Sequence, residues 1–157
     1  MTSGRFRFFV DSNVIINYFY GDDAAKEMVE TAEKVGEIFI NGIALSEVSI
    51  RYLKDVTGEK SYTLKHNPEF VKAVDKDPLY AIIGKFLFLS DNTLIGLNAV
   101  SLMDMYGLLP NDAMILATCK FYGIEHLISF DEDFERACKN EGITLISTIQ
   151  KLKEVLR

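Results

Sequence analysis

The sequence predicts an α/β protein, with a three-layer α/β/α fold and a mainly parallel central sheet. Short, apolar, β-prone runs alternate along the chain with longer segments of helical pattern. Alternation of this kind predicts parallel strands joined by helices that cover both faces of the sheet. The chain has 157 residues, of which 48% are hydrophobic, and this suits one compact domain with a sizeable core. We therefore expect a single domain over residues 1–157.

The first half of the chain contains two predicted strands and three predicted helices. Asp22 or Asp23 is placed to cap the second helix, and Gly36 is placed to stop it. Asn41 and Gly42 predict a turn before the third helix. The expected elements are, in order, a strand at 6–10, helices at 14–20 and 22–35, a strand at 37–40 and a helix at 44–56.

The most polar stretch of the chain is residues 57–78, which contain Gly58, Pro68 and Pro78. We expect a surface loop with one short helix there, although a mobile flap or a partner-binding insertion has the same composition. After this stretch, strands and helices alternate again. The expected elements are a short helix from 79 running into a strand at 87–89, helices at 92–108 and 110–122, a strand at 124–130, a helix at 131–140, a strand at 143–147 and a helix at 148–157.

Composition narrows the class of protein. No apolar stretch approaches the roughly 18 residues of a membrane span, and the N-terminus has no signal-peptide pattern, so we expect a cytoplasmic protein with no membrane association. A formal net charge of −6 disfavours a protein that coats nucleic acid by charge alone, but it is compatible with an acidic metal site.

The spacing of Cys119 and Cys138 matches no zinc motif, and we expect both to be buried thiols. His66 and His126 have no Cys or His nearby and are not expected to bind metal.

Three aspartates stand where a parallel sheet places its ligands, at or near the carboxyl ends of strands. Asp11 directly follows the first predicted strand, and Asp131 follows the strand at 124–130. Asp112 opens a helix and lies on its apolar, inward-pointing face, so we expect it at the rim of the core. Each aspartate could instead cap a helix or favour the dipole of a first turn, so each is ambiguous on its own.

Taken together, the three aspartates indicate a metal site. Carboxylates that converge repel one another and raise each other's pKa values unless a cation lies between them. Magnesium and manganese prefer hard carboxylate oxygens, and two such ions roughly 4 Å apart can activate water and stabilise the leaving oxygen of a phosphodiester. Asp133, two residues beyond Asp131, could serve a second ion or could merely favour the start of its helix.

Glu47 is harder to interpret from the pattern alone. A helical wheel of the helix at 44–56 puts Glu47 beside Ile50 and Arg51. The main apolar stripe runs along another side and consists of Leu45, Val48, Tyr52 and Val56. On this ground we interpret Glu47 as a solvated surface glutamate.

Four short motifs follow one another along nearly the whole chain. They are an apolar strand ending in Asp-Ser-Asn, an acidic residue between apolar positions, an aspartate opening a helix of small and apolar residues, and a strand followed by a serine and an aspartate. They lie at residues 8–14 (FFVDSNV), 45–48 (LSEV), 109–118 (LPNDAMILAT) and 127–134 (LISFDEDF). In this order they resemble the PIN-domain nucleases, especially the VapC-like toxin ribonucleases of prokaryotic toxin–antitoxin pairs.

The resemblance implies a metal-dependent ribonuclease that hydrolyses RNA phosphodiester bonds with one or two Mg²⁺ or Mn²⁺ ions. The catalytic and metal-binding residues that it implies are Asp11, Glu47, Asp112 and Asp131. The residues that it implies orient the acids or the phosphate are Asn13 and Ser129. Candidate phosphate contacts, each more simply read as a solvated surface charge, are Arg5, Arg7, Arg51 and Lys54. Family members often form homodimers, and toxin members bind an antitoxin that blocks the site.

Two other functions fit the same sequence pattern. A PIN fold without catalysis could serve as an RNA- or protein-binding module, although all four acidic positions are filled. A phosphatase or a receiver domain with a phosphorylated aspartate would also place a carboxylate after the first strand. Asn13 stands where the common phosphatase pattern has its second aspartate, and the chain has no Walker-type glycine loop.

Overall fold

The computed structural model describes residues 5–157, and a parallel sheet lies at its centre. The strands are β1 (Phe6–Val10), β2 (Gly36–Asn41), β3 (Leu87–Leu89), β4 (His126–Ile128) and β5 (Thr144–Ile146). Their order across the sheet is β3-β2-β1-β4-β5, and all four neighbouring pairs are parallel. The predicted α/β fold with a mainly parallel sheet is therefore confirmed.

Ten helices within residues 5–157 connect and flank the strands. They are α1 (Ser12–Phe19), α2 (Asp23–Val35), α3 (Gly42–Thr57), α4 (Ser61–His66), α5 (Pro68–Ala73), α6 (Asp77–Lys85), α7 (Thr93–Tyr106), α8 (Pro110–Tyr122), α9 (Glu135–Glu141) and α10 (Ile149–Val155), and a 3₁₀ turn (Glu132–Phe134) precedes α9. None of the helices in this part of the chain is long and apolar enough to cross a membrane.

The centre of the sheet is covered on both faces. Phe8, Phe9 and Val10 are consecutive in β1, so their side chains alternate between the two faces, yet all three are fully buried. Consecutive buried apolar residues are the pattern of a parallel strand with helices above and below it. Cys119 and Cys138, in α8 and α9, are free thiols buried in this core, as expected.

The junction between β2 and α3 differs from the expected turn. Helix α3 begins at Gly42, directly after the strand, and Asn41 is its N-cap. The side-chain oxygen of Asn41 accepts a hydrogen bond of 3.0 Å from the backbone N–H of Ala44. An asparagine at this position replaces the turn because its side chain satisfies an N–H group that the first turn of a helix leaves free.

The polar stretch at 57–78 is also more regular than predicted. It contains two short helices, α4 and α5, and the start of α6. Leu64 and Val74 are buried, although neither belongs to the main core cluster, and α4 and α5 pack against each other. The expectation of a loop with one short helix was wrong because mutual packing of a few apolar residues stabilises short helices that lack a sustained apolar pattern.

The segment after β4 is divided differently from the prediction. The strand ends at Ile128, and the expected helix at 131–140 is split into the 3₁₀ turn and α9. The side chain of Asp131 accepts a hydrogen bond of 2.9 Å from the backbone N–H of Asp133. This local bond tightens the chain into the 3₁₀ turn before α9 begins.

Candidate active site

The strand order reverses between β1 and β4, and a crevice forms there at the carboxyl ends of the two strands. Strand β1 connects onward to β2 on one side, while β4 pairs with β1 on the other side. The backbone N–H of Asp11 donates to the carbonyl of Ile128 at 2.9 Å, so the carboxyl ends of β1 and β4 are held together at this point. Open α/β sheets bind their ligands at such switch points.

Asp11 lies at the bottom of this crevice, with only 4% of its surface exposed. One carboxylate oxygen, Oδ2, accepts from the hydroxyl of Ser129 at 2.7 Å, and the other, Oδ1, accepts from the backbone N–H of Ser12 at 2.8 Å. Burial raises the pKa of Asp11 above its usual 3.8, the hydrogen bonds oppose this, and the charge of Asp131 adds to it. An ionised Asp11 is therefore costly without a cation.

Asn13 and Ser129 form the hydrogen-bonded support of Asp11. The Ser129 hydroxyl donates to Asp11 and accepts from the backbone N–H of Asp131 at 3.0 Å and from Nδ2 of Asn13 at 3.4 Å. The side-chain oxygen of Asn13 accepts in turn from the backbone N–H of Phe130 at 3.2 Å. These bonds use the one donor and two acceptor sites of the serine hydroxyl, so its orientation is fully determined.

Asp112 enters the crevice from the first turn of α8. The other residues of its helical face, Ile115, Leu116 and Cys119, are fully buried, as the pattern predicted. Burial raises the pKa of Asp112 from 3.8 to about 6, and repulsion from the charges of Asp11 and Asp131, and to a smaller extent of Glu47 and Asp133, adds to this. This coupling shows that the acids from four separate segments act on one another electrostatically.

Glu47 faces the crevice, and its interpretation as a surface residue was wrong. Its Oε1 accepts a hydrogen bond of 3.4 Å from the hydroxyl of Ser12, and its side chain is partly buried. Burial, followed by the charge of Asp11, raises its pKa. The helical-wheel prediction was wrong because α3 packs against both α1 and α8, so this helix has more than one buried side. Val56, placed on the expected apolar stripe, is 55% exposed.

Asp131 and Asp133 lie at different depths. Asp131 is partly buried, and its backbone N–H donates a hydrogen bond to the hydroxyl of Ser129. Asp133 is exposed at the start of the 3₁₀ turn, and its charge contributes the least of the four to the raised pKa of Asp112. The structure therefore brings Asp131 into the acidic group and leaves Asp133 at its margin.

The four basic candidates divide into two groups. Arg5 and Arg7 border a separate cavity at the other end of the sheet, where Arg7 donates to the carbonyls of Tyr122 and Gly123 at 3.0 and 2.6 Å. That position excludes them from the crevice. The two remaining candidates, on α3, line a cleft that includes Glu47, and they are Arg51 and Lys54.

Three residues of this region were not singled out by sequence reasoning. Ser12 lies between Asp11 and Glu47, and the side chain of Asn111 favours the ionised form of Glu47 and so lowers its pKa. Asn41 is fully buried and donates to the hydroxyl of Thr118 at 3.1 Å, which ties the start of α3 to α8. Ser12 and Asn111 could have been identified from the sequence, because each is a polar residue directly beside a candidate acid. The Asn41 contact spans 77 residues and left no local signal.

The donor set fits a hard divalent cation. All four side chains offer carboxylate oxygens, and the burial that raises the pKa of Asp11 and Asp112 would be offset by positive charge. Within residues 5–157 no three His, Cys, Asp or Glu side chains already form a cage around one point. A cation would therefore be held only after some of these side chains reorient, and Glu47, Asp112 and Asp131 are each partly exposed.

The fold and the crevice define an α/β protein with a group of acidic side chains at the switch point of its sheet. The sequence matches the PIN domain family over residues 8–140, a span that contains all four acids. The chain therefore belongs to the PIN domain family.

Similar proteins agree with this assignment. Over 132 residues the chain is 39% identical to Ribonuclease VapC2 of Methanocaldococcus jannaschii, covering 83% of this chain and 88% of that protein. It is 32% identical over 142 residues to Ribonuclease VapC6 of the same organism, covering 82% and 90%. Among solved structures, a toxin–antitoxin complex from Klebsiella pneumoniae contains a chain of the same fold, with a TM-score of 0.56 and 24% identity over 80% of this chain and 88% of that one.

Proposed function

We propose that this protein is a divalent-metal-dependent endoribonuclease whose catalytic and metal-binding residues are Asp11, Glu47, Asp112 and Asp131. The observation that carries the proposal is the convergence of these four acids on one crevice, where burial and mutual repulsion raise the pKa of Asp112 to about 6. Ribonuclease VapC2, at 39% identity, supports RNA as the substrate. The four acids are carried by elements around one sheet, and we propose that residues 1–157 act as a single domain.

In the proposed reaction, the cation and the side chains of this protein would have different roles. A divalent cation held by these carboxylates would activate water and stabilise the leaving oxygen of the phosphodiester. The hydroxyl of Ser129 donates to Oδ2 of Asp11, while the backbone N–H of Ser12 donates to Oδ1, which also lies 3.5 Å from the Ser12 hydroxyl. These bonds orient the carboxylate that would hold the cation. Asn13 holds Ser129 and the loop after β4 in place. A bound cation would favour the ionised form of Asp112, whose pKa is raised to about 6 in its absence.

We propose Mg²⁺ or Mn²⁺ as the ion. Both favour oxygen ligands, whereas zinc sites usually contain histidine or cysteine. Cys119 is buried in the core, and His126 lies within β4 against the rings of Phe6 and Phe8. His66 lies on α4, outside the acidic group.

A cleavage assay tests the proposal directly. A mixed pool of structured and single-stranded RNA would be incubated with the parent chain and with Asp11→Asn, in Mg²⁺ or Mn²⁺, with and without a chelator. We expect cleavage by the parent only when the cation is present, and its loss in the variant. Asp112→Asn provides a second check: if it cut RNA as fast as the parent, the catalytic assignment would be wrong.

The alternative function is a non-catalytic PIN fold that binds RNA or protein. In that case RNA would be retained by the parent chain but left intact at every cation concentration, and calorimetry would show no binding of Mn²⁺. The four filled acidic positions and their coupling favour catalysis. A phosphoryl-accepting Asp11 is tested by a small phosphodonor such as acetyl phosphate, from which we expect no transfer.

We further propose that the protein is the cytoplasmic toxin of a toxin–antitoxin pair, inhibited by an antitoxin. An apolar cavity of about 120 Å³ lies between α1, α3 and α6, and it shares Ile16 and Tyr20 with the cleft that contains Glu47. A partner segment that joins an apolar side chain to a basic one would fill this cavity and neutralise the adjacent acids. Cleavage that continued at saturating antitoxin would contradict this role.

We also propose that the protein forms a homodimer. Helix α7 exposes a run of apolar side chains, and Leu94, Leu97 and Val100 are each more than 60% exposed. A contiguous apolar surface of this kind favours association of copies. Light scattering at micromolar concentration should give twice the chain mass of 17.8 kDa, and a Leu97→Glu variant should give the single-chain mass.

A further inference from the structure

A cleft of about 460 Å³ leads away from the acidic group, and its outer wall is basic. Glu47 and Asn111 lie at the end of the cleft nearest the acids, while Tyr20, Arg51 and Lys54 line the rest of the wall. The path from the acids to the surface therefore passes two cationic side chains on one face of α3.

Arg51 is held in position by two neighbours. Its Nε donates to both carboxylate oxygens of Asp55, at 3.2 and 3.0 Å. The hydroxyl of Tyr20, at the end of α1, donates to the same carboxylate at 2.5 Å. Because Asp55 is bound by Nε, the two terminal Nη groups of Arg51 keep their donors, and they have no hydrogen-bond partner within residues 5–157. A guanidinium fixed by one edge presents the other edge for bidentate binding of a phosphate.

Lys54 lies three residues after Arg51 and on the same side of α3. It forms no ion pair in the described part of the chain. Lys85 and Lys120, in contrast, are paired with Glu33 and Glu141. Side chains three residues apart on a helix have Cβ atoms about 5–6 Å apart, so Arg51 and Lys54 present two separate cationic contacts to one short stretch of backbone.

We infer that Arg51 and Lys54 bind RNA phosphates that flank the cleavage point, and that Asp55 and Tyr20 orient Arg51 for this contact. The inference rests on the proposed ribonuclease function and adds the path of the substrate. In a chain of net charge −6, this wall supplies the attraction for a polyanion that the acids beside it repel. An exposed Arg–Asp pair alone contributes little to stability, so the consequence of the pairing is the direction of the guanidinium.

Binding of RNA can be measured apart from cleavage. A fluorescently labelled single-stranded RNA of mixed sequence would be titrated with the full chain carrying Asp112→Asn, with anisotropy as the readout, at several salt concentrations. In that background Arg51→Gln and Lys54→Gln should each weaken binding roughly tenfold, and each should reduce the slope of log affinity against log salt by about 0.7. Lys139→Gln removes the same charge from α9, outside the cleft, and should leave both quantities near the parent values.

The role of Asp55 and Tyr20 has its own variants. Arg51→Lys keeps the charge but loses the fork, so binding should fall between that of the parent and that of Arg51→Gln. Tyr20→Phe removes only the hydroxyl that holds Asp55, and a loss of about twofold to fourfold is expected, since one orienting bond is removed while the cationic contact remains. In the cleaving parent, the same changes should raise KM more than they lower kcat.

The possible outcomes separate this inference from the proposed function. RNA that is cut by the parent while Arg51→Gln and Lys54→Gln bind within twofold of their background would overturn the inference and leave the nuclease intact. RNA that is bound through Arg51 and Lys54 but never cut would support the inference and reject the nuclease. Absence of RNA binding by the parent chain would overturn both.

Discussion

The hydroxyl of Ser129 donates a hydrogen bond of 2.7 Å to Oδ2 of Asp11, and both residues are buried at the ends of neighbouring strands. The two positions are 118 residues apart, and pairing of β1 with β4 brings them together. The same hydroxyl accepts from the backbone N–H of Asp131. One serine therefore sets the positions of two of the four acids.

Ser129→Ala should reduce cleavage about 10- to 100-fold, the range typical when a group that orients a metal ligand is removed. The loss should be accompanied by a decrease of about 1–3 kcal/mol in the free energy of unfolding, because buried donors lose their acceptor. Initial cleavage rates and urea unfolding measure the two effects. Ser147→Ala is the matched control, since Ser147 is a buried serine after the neighbouring strand β5 that accepts from Lys151 at 2.9 Å. A variant of Ser129 with full activity would contradict its orienting role.

Asp112→Asn should abolish cleavage and yet stabilise the fold at neutral pH without cations. The pKa of Asp112 is raised from 3.8 to about 6 in the folded chain. Well below pH 3.8 the carboxyl is protonated in both states and imposes no penalty. The penalty grows as the pH rises from 3.8 to about 6 and is complete well above pH 6, where the carboxyl is ionised in both states. The variant should be more stable than the parent by about 1–2 kcal/mol at pH 7.5, a value discounted for partial exposure, and equally stable at pH 3.5.

Urea unfolding at the two pH values measures this difference in stability. Asp104→Asn, which neutralises an exposed acid on α7 outside the crevice, should show no comparable gain. A loss of stability in Asp112→Asn at pH 7.5 would show that the cost of burying this charge beside the other acids does not dominate at this position.

Divalent cations should stabilise the parent chain, and more strongly at pH 7.5 than at pH 5. Protons compete with the cation for Asp11 and Asp112, whose pKa values are both raised. At a Mn²⁺ concentration 100 times the Kd, the stabilisation should be about 2.7 kcal/mol. Thermal melts with and without Mn²⁺ measure it. Asp11→Asn should remove most of the effect, and a parent melting temperature that Mn²⁺ leaves unchanged would argue against the site.

Asn41→Ala should disturb both stability and activity, since Asn41 caps α3 and binds Thr118 on α8. We expect a loss of about 1–3 kcal/mol in unfolding free energy and a further loss of cleavage as Glu47 moves relative to Asp112. Thr118→Val, which preserves shape but removes the acceptor of the Asn41 amide, should have a smaller effect in the same direction.

The control for Asn41 is Asn92→Ala. Asn92 caps α7 in the same way, with its side chain accepting from the backbone N–H of Ile95 at 3.0 Å, but it lies outside the crevice. It should lose a similar capping contribution without a change in the cleavage rate at a temperature where both variants are folded. Equal effects of both variants on cleavage would indicate that Asn41 acts only through general stability.

The fold class could be predicted from local pattern because a buried parallel strand has a distinctive composition. The run at Phe6–Val10 is short and apolar, and the helix boundaries at Asp22 and Gly36 have recognisable capping chemistry. Local pattern was insufficient where one tertiary contact decides the structure. Leu64 and Val74 are buried in the helical stretch at 57–78, and neither creates a periodic pattern that predicts a helix.

The candidate site shows the same division. Asp11, Asp112 and Asp131 were identified from their positions at strand ends and at a helix start, which follow from the sequence alone. That Glu47 faces them was decided by the packing of α3 between α1 and α8, because the side of a helix that is buried depends on which neighbours it meets. Likewise, hydrogen bonds between Asn13 and Ser129, or Asn41 and Thr118, join residues 116 and 77 positions apart. The sequence thus determined which acids are available. Only the tertiary structure decided how deeply each is buried, which hydrogen bonds support it and how strongly their charges interact, since burial and repulsion depend on distances in space.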